Sequence, residues 1–159
     1  MGKPRLDKKD YNGVNYIKGM IIVNLKKQPI QTAKKLSRFK VILAVLPKDI
    51  KALKTKAVVY SQYINAKENA KAVKENGAKG TLLNHSDYPI TNKKIKEYIS
   101  SAKKAKLKTV VCCTTMQRAK QIARMKPDYI AVEPKELIGG KLAVSQARPK
   151  LISDVAHNT

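Results

Sequence analysis

Three features of this sequence predict an α/β fold with parallel strands and outer helices. Six short apolar runs recur along the chain, and they lack the polar alternation of a strand with one wet face. Runs of that kind suit strands buried on both sides, the usual condition of parallel sheets. Segments with helical periodicity and helix start or stop residues separate them, so strands and helices alternate. Alternation implies βαβ units with right-handed crossovers. At 159 residues and 43% hydrophobic content, the chain fits one domain with a sizeable core.

Residues 1–19 are polar and basic, with Pro4, Gly13 and scattered tyrosines but no sustained period. They are expected to be a flexible basic extension ahead of a domain over 20–159. The first strand is expected at 20–23, giving way to Asn24, Leu25 and Lys26. A short basic helix over 29–37 leads to KVILAV at 40–45, a second buried strand, and another short helix over 47–53. AVVYSQYI at 57–64 reads as the third strand. The helix over 66–76 is stopped by Gly77. KGTLL at 79–83 is the fourth strand, followed by Asn84, His85, Ser86 and Asp87. Residues 92–104 form an amphipathic helix with Ile95, Tyr98, Ile99 and Ala102 on one face. A fifth strand over 107–113, a helix over 115–125 and a sixth strand over 128–132 complete the alternation. After the next loop, 146–155 starts a sixth helix that Pro149 breaks or delays.

Composition narrows the classes of function. Cys112 and Cys113 are adjacent inside an apolar run, which suits buried thiols better than a disulfide framework. With His85 and His157 the only histidines, no zinc constellation assembles. No apolar run reaches membrane-spanning length and the N-terminus shows no secretion signal, so a cytoplasmic protein is expected. The net charge of +23 favours anionic partners, from nucleic acid to a small phosphorylated metabolite. Yet 29 of the 34 basic residues are lysines spread along every segment, which describes a solvated surface. Without arginine clusters or aromatic-basic interleaving, nucleic acid is disfavoured as a partner.

In parallel α/β sheets, active sites lie at the C-terminal ends of strands. The polar residues expected there are Asn24 and Lys26, Gln62, Asn84 and His85, and Glu133. Together they have the means to bind an anion, polarise a carbonyl and move a proton. Read singly, each admits a plainer account. Glu133 also fits an exposed loop carboxylate, His85 a hydrogen-bonded structural histidine, and Lys26 one solvated lysine among 29. Pro134 stiffens the exit from the sixth strand, while Gly139 and Gly140 permit unusual backbone angles, a pattern that describes a lid.

These residues stand in motifs that resemble the triosephosphate isomerase family, its short archaeal type in particular. The motifs are IVNLK at 22–26, GTLLNHSD at 80–87 and DYIAVEPKELIGG at 128–140, followed by VSQARPKLISD to Asp154. The resemblance implies an incomplete (β/α)8 TIM barrel with about six βα units present. It also implies a glycolytic and gluconeogenic enzyme that interconverts dihydroxyacetone phosphate and glyceraldehyde 3-phosphate, without cofactor or metal. Glu133 would be the base, and His85 would donate a hydrogen bond to the enediolate oxygen. Lys26 would attract the phosphate and oxyanion, Asn24 would orient the reacting oxygens, and Gly139 would offer its N–H to the phosphate. Ser86, Asp87 and Pro89 are suitable helix-start residues just after His85.

The chain also departs from the family pattern. A complete barrel takes about 200 residues or more, so two βα units and their phosphate-binding loops are expected to be missing. The first and sixth strands would then be open edges, and the chain is expected to form a homo-oligomer or to take a complementing C-terminal fragment. Asp87 stands where the family has glutamate. The loop after the third strand reads as short, which puts the family's subunit contact in doubt. Two other functions therefore remain open, a catalytically inactive barrel kept for a partner and a basic nucleic-acid binder.

Overall fold

The computed structural model describes residues 21–134, in which strands and helices alternate throughout. The strands are β1 (Ile21–Asn24), β2 (Val41–Val45), β3 (Val58–Ser61), β4 (Gly80–Leu83), β5 (Lys108–Cys113) and β6 (Tyr129–Val132). The helices are α1 (Ile30–Leu36), α2 (Pro47–Leu53), α3 (Ala70–Glu75), α4 (Asn92–Lys104) and α5 (Met116–Ala123). The expected extension over 1–19 and helix over 146–155 lie outside the described residues.

Every strand pair is parallel, and the spatial order β1-β2-β3-β4-β5-β6 follows the sequence. A sheet wound in one direction with crossovers of one hand carries all its helices on one face. The packing agrees. Leu43, Val59, Leu83 and Val111 from the strands share a core with Ala33, Ile50, Val73, Ile95 and Ile122 from the five helices. On the opposite face Ile42, Ala44, Tyr60, Leu82 and Val110 form a second cluster without any helix residue. The two sets alternate along each strand because successive side chains point to opposite faces. The result is a half-barrel of six parallel strands, with helices outside and a small apolar cluster inside. Among the described residues β1 and β6 each pair on one side only, and Ile21 is 65% exposed.

Local sequence sets the element boundaries. Thr91 and Thr115 cap α4 and α5, their hydroxyls accepting the N–H groups of Lys94 and Arg118, each cap contributing about 1 kcal/mol. Pro47 opens α2, where its missing N–H costs nothing. Ile95, Ile99 and Ala102 lie on one stripe of α4, all buried, as their spacing predicts. Asp128 ties the bottom of β6 to β5: it accepts from the N–H and hydroxyl of Thr109, both at 3.0 Å, and from Lys108 at 2.7 Å.

Three expectations need correction. The third strand ends at Ser61 rather than reaching residue 64, and the third helix begins at Ala70 rather than near residue 66. The loop after β3 is therefore not short: it spans residues 62–69. The cause is competition between asparagines. Asn65 Oδ1 accepts from the N–H groups of Lys67 and Glu68, winding a turn of its own, and Asn69 then caps the helix through Ala72 N–H. The helix after β4 starts at Asn92, where it was expected, and the helix-start residues Ser86 and Asp87 open none. The chain turns there, with the His85 carbonyl accepting from Tyr88 N–H.

Candidate active site

Side-chain alternation brings the polar residues to one rim. Asn24 follows Ile22 by two positions, Gln62 follows Tyr60, Cys112 follows Val110 and Glu133 follows Ala131, so all four continue the inner face of the half-barrel. They sit at or just beyond the C-terminal ends of β1, β3, β5 and β6. His85 reaches the same rim from the turn after β4.

Asn24 is held in one orientation. Its Oδ1 accepts from Gln62 Nε2 at 2.8 Å and from the Lys26 backbone N–H at 3.1 Å. Gln62, almost fully buried, also donates to the Ala44 carbonyl at 2.7 Å. With the oxygen occupied, the Asn24 amide turns its Nδ2 toward His85 Nε2, 3.4 Å away.

His85 is fixed from its other nitrogen. Asp87 N–H approaches Nδ1 at 3.2 Å, nearer than the Asp87 carboxylate oxygen at 3.6 Å. The shorter contact makes Nδ1 an acceptor, which leaves the ring N–H on Nε2. Two donors, Nε2–H of His85 and Nδ2–H of Asn24, then converge with no acceptor between them among the described residues. The carboxylate of Glu133 faces the same nitrogen at 3.9 Å, too far for a hydrogen bond. An oxygen-bearing ligand entering here would meet two donors and a base together.

Glu133 is placed by its backbone, whose N–H donates to the Cys113 carbonyl at 2.7 Å and extends the β5–β6 ladder by one residue. Pro134 behind it is fully buried and fixes the direction in which the chain leaves the strand. Lys26 Nζ lies 3.3 Å from Asp87 Oδ2. The aspartate thus makes the pair despite being a methylene shorter than the family's glutamate. Both side chains are part-exposed, so the pair contributes only about 0–1 kcal/mol and acts mainly to position the ammonium. Burial, and then the negative charge of Glu133, push the Cys112 thiol far above its usual range, so it stays protonated as a packing residue.

The structure thus brings Asn24, Lys26, His85 and Glu133 to one rim through these contacts, while Gly139 and the expected lid lie outside the described residues. The sequence places Asn84 and Gln62 on the rim, and the structure adds that the Asn84 amide links the ends of β4 and β5 while Gln62 holds Asn24. The two-residue step from inward-facing Tyr60 was the signal for Gln62.

Comparison with known proteins adds an independent line. The family model described as triosephosphate isomerase matches residues 27–159, a stretch that starts just after Asn24 and Lys26. The chain is similar to a triosephosphate isomerase of Methanocaldococcus jannaschii, 43% identical over 83 residues, covering 52% of this chain and 38% of that protein. A Halobacterium salinarum relative of the same name is 37% identical over 123 residues, covering 72% of this chain and 58% of its own length. The chain therefore spans about half the length of these curated relatives. Among solved structures, a triosephosphate isomerase from Bartonella henselae superposes with a TM-score of 0.61 at 13% identity, over 86% of this chain and 73% of that one. A mandelate oxidase gives the same TM-score of 0.61 at 11% identity, over 87% of this chain and 55% of that one. At such identities the structural likeness speaks for the fold alone. The sequence match is the more specific observation: it runs through five of the six strands, and on that ground the chain belongs to the triosephosphate isomerase family.

Proposed function

We propose that this chain carries the proton-transfer centre of a cytoplasmic triosephosphate isomerase, interconverting dihydroxyacetone phosphate and glyceraldehyde 3-phosphate. The observation that carries the reading is Glu133 facing His85 Nε2 at 3.9 Å, with the Asn24 amide nitrogen 3.4 Å from the same ring nitrogen. Glu133 takes a proton from the carbon next to the carbonyl, and the electron pair moves onto the carbonyl oxygen as an enediolate forms. His85 Nε2–H and Asn24 Nδ2–H donate to the oxygens where that charge develops, as preorganised donors in an electrostatic site do. Lys26 attracts the phosphate and the oxyanion. The hydroxyl proton of the first carbon moves to the enediolate oxygen on the second, and Glu133 returns its own proton to that second carbon, completing a general acid–base cycle with no net redox change. Gly139 is proposed to give its N–H to the phosphate.

The overall positive charge supports an anionic substrate. Partners follow from the sheet edges: a second copy, or a C-terminal fragment supplying further βα units, would cover β1 and β6. The test is isomerisation of dihydroxyacetone phosphate by the full chain, alone and with such a fragment. Turnover is expected to fall by about a thousandfold or more in Glu133→Gln, since the variant has no base. An active assembly indifferent to that substitution defeats the assignment. A partner-binding barrel without catalysis is favoured only by the one-sided pairing of β1 and β6 among the described residues. It predicts a stable assembly with no turnover.

A further inference from the structure

Four non-glycine residues have a positive φ among the described residues: Lys54, Asn84, Lys106 and Lys126. The three lysines stand at the C-terminal ends of α2, α4 and α5, where a left-handed residue is an ordinary way to stop a helix. Asn84 has no helix to end. With φ at 57° it stands between the last residue of β4 and His85, so its strain turns the chain at the point where the imidazole is carried.

Its side chain is used at both ends. Nδ2 donates to the Cys112 carbonyl on β5 at 2.9 Å, and Oδ1 accepts from Ile90 N–H at 3.1 Å. The first bond anchors the residue to the neighbouring strand, and the second closes the turn from His85 to Ile90. Inside that turn Asp87 N–H meets His85 Nδ1, and Tyr88 stacks on Tyr63 with ring centroids 4.5 Å apart. Asparagine combines the three properties the position uses. It tolerates the left-handed region, and its amide offers a donor and an acceptor at short reach. Glycine would keep only the first, and aspartate would lose the donor.

We propose that Asn84 is a positioning residue for His85. Its amide clamps the turn between β5 and Ile90 and thereby aims Nε2 into the space between Asn24 and Glu133. The inference rests on the isomerase reading for its catalytic consequence, but the clamp itself is measurable without turnover.

The test compares the full-length chain with Asn84→Gly, which keeps the backbone angle and removes both bonds, and Asn84→Asp, which keeps only the acceptor. Three quantities are read: isomerisation of dihydroxyacetone phosphate, the nitrogen spectrum of the His85 imidazole, and hydrogen exchange at Ile90 N–H. In Asn84→Gly, kcat is expected to fall at least about tenfold with KM within about twofold, because misplacing a reacting group by an ångström can cost more than that. His85 passes from a single Nε2–H tautomer to a mixture, and Ile90 N–H exchanges at least about tenfold faster. Asn84→Asp falls between. An unchanged His85 spectrum in Asn84→Gly overturns the proposal, whether kcat is unchanged or falls only in step with the folded fraction. A wild-type chain without turnover defeats the isomerase reading instead, and the imidazole spectrum alone then decides whether Asn84 aims the ring.

Discussion

Gln62 Nε2 donates at 2.8 Å to Oδ1 of Asn24, linking the ends of β3 and β1 across 38 residues of sequence. The same nitrogen donates to the Ala44 carbonyl at 2.7 Å, so one buried amide group meets two acceptors. Gln62→Ala is expected to release the Asn24 amide and to leave the Ala44 carbonyl with the Leu25 N–H, at 2.9 Å, as its remaining partner. The cost is about 1–3 kcal/mol, or several degrees in Tm, with kcat lowered about tenfold. Gln62→Glu should be worse in thermal unfolding, because a carboxylate would face two oxygens from a site that is almost fully buried. Glutamate tolerated as well as alanine would show that the amide is not the donor.

Tyr60 and Gly80 face each other across β3 and β4, and a Cβ on Gly80 would lie 2.5 to 2.7 Å from three atoms of the Tyr60 ring. The glycine is needed for space rather than for its backbone freedom. Burial, with lesser help from Tyr129 and Asp128, pushes the Tyr60 hydroxyl up to about 12, which keeps the ring neutral inside the barrel. Gly80→Ala is expected to cost about 1–3 kcal/mol by overpacking. The double variant with Tyr60→Leu should recover part of that loss in a urea-unfolding cycle. Additive losses would show that the two residues do not share the strain.

Much of the fold was legible because its strands are buried on both sides: VILAV in β2 and VVCC in β5 can be read without knowing which face points where. The rim residues Asn24 and Glu133 were legible for the same reason, being the first polar groups after apolar runs, and His85 comes one residue later, after Asn84. The end of β3 was not. AVVYSQYI stays largely apolar past Ser61, but Gln62 is drawn to Asn24 and the Ala44 carbonyl, and Asn65 winds its own turn. Asn65 and Asn69 are both good caps, and only tertiary packing selects the second as the start of α3. Nor does a string of letters carry the sign of φ at Asn84, so the bend that presents His85 had no visible signal.

Asp128 links acid stability to the base of the sheet. Its burial alone would raise its pKa, but the hydrogen bonds from Lys108 and Thr109 outweigh that and hold it below the ordinary carboxylate value. A carboxylate depressed in the folded state contributes stability that is present above its unfolded value, about 3.9. That contribution is lost as pH falls through the lower folded value. Asp128→Asn should therefore lose about 1–3 kcal/mol at neutral pH, mostly through Thr109, since Lys108 is well exposed. Below the folded value the two proteins should unfold alike. A difference that persists there would assign the loss to shape rather than charge.

Lys106 offers a gain in stability away from the rim. It holds φ at 56° just past α4, a conformation that costs a side chain about 1–2 kcal/mol and costs glycine little. Glycine also gives back about 0.5–1 kcal/mol through its freer unfolded state, so Lys106→Gly is expected to raise stability by up to about 1 kcal/mol. The carbonyl of Lys106 that accepts from Lys74 Nζ at 3.1 Å is backbone and survives the change. At Asn84 the same replacement should leave the backbone relaxed but weaken the site, because there the side chain holds two bonds. Denaturation midpoints of the two glycine variants separate the cases: a gain at 106 with a loss at 84 marks the first as a helix stop and the second as a clamp. Equal gains at both positions would show that the Asn84 amide adds nothing beyond its tolerance of the angle.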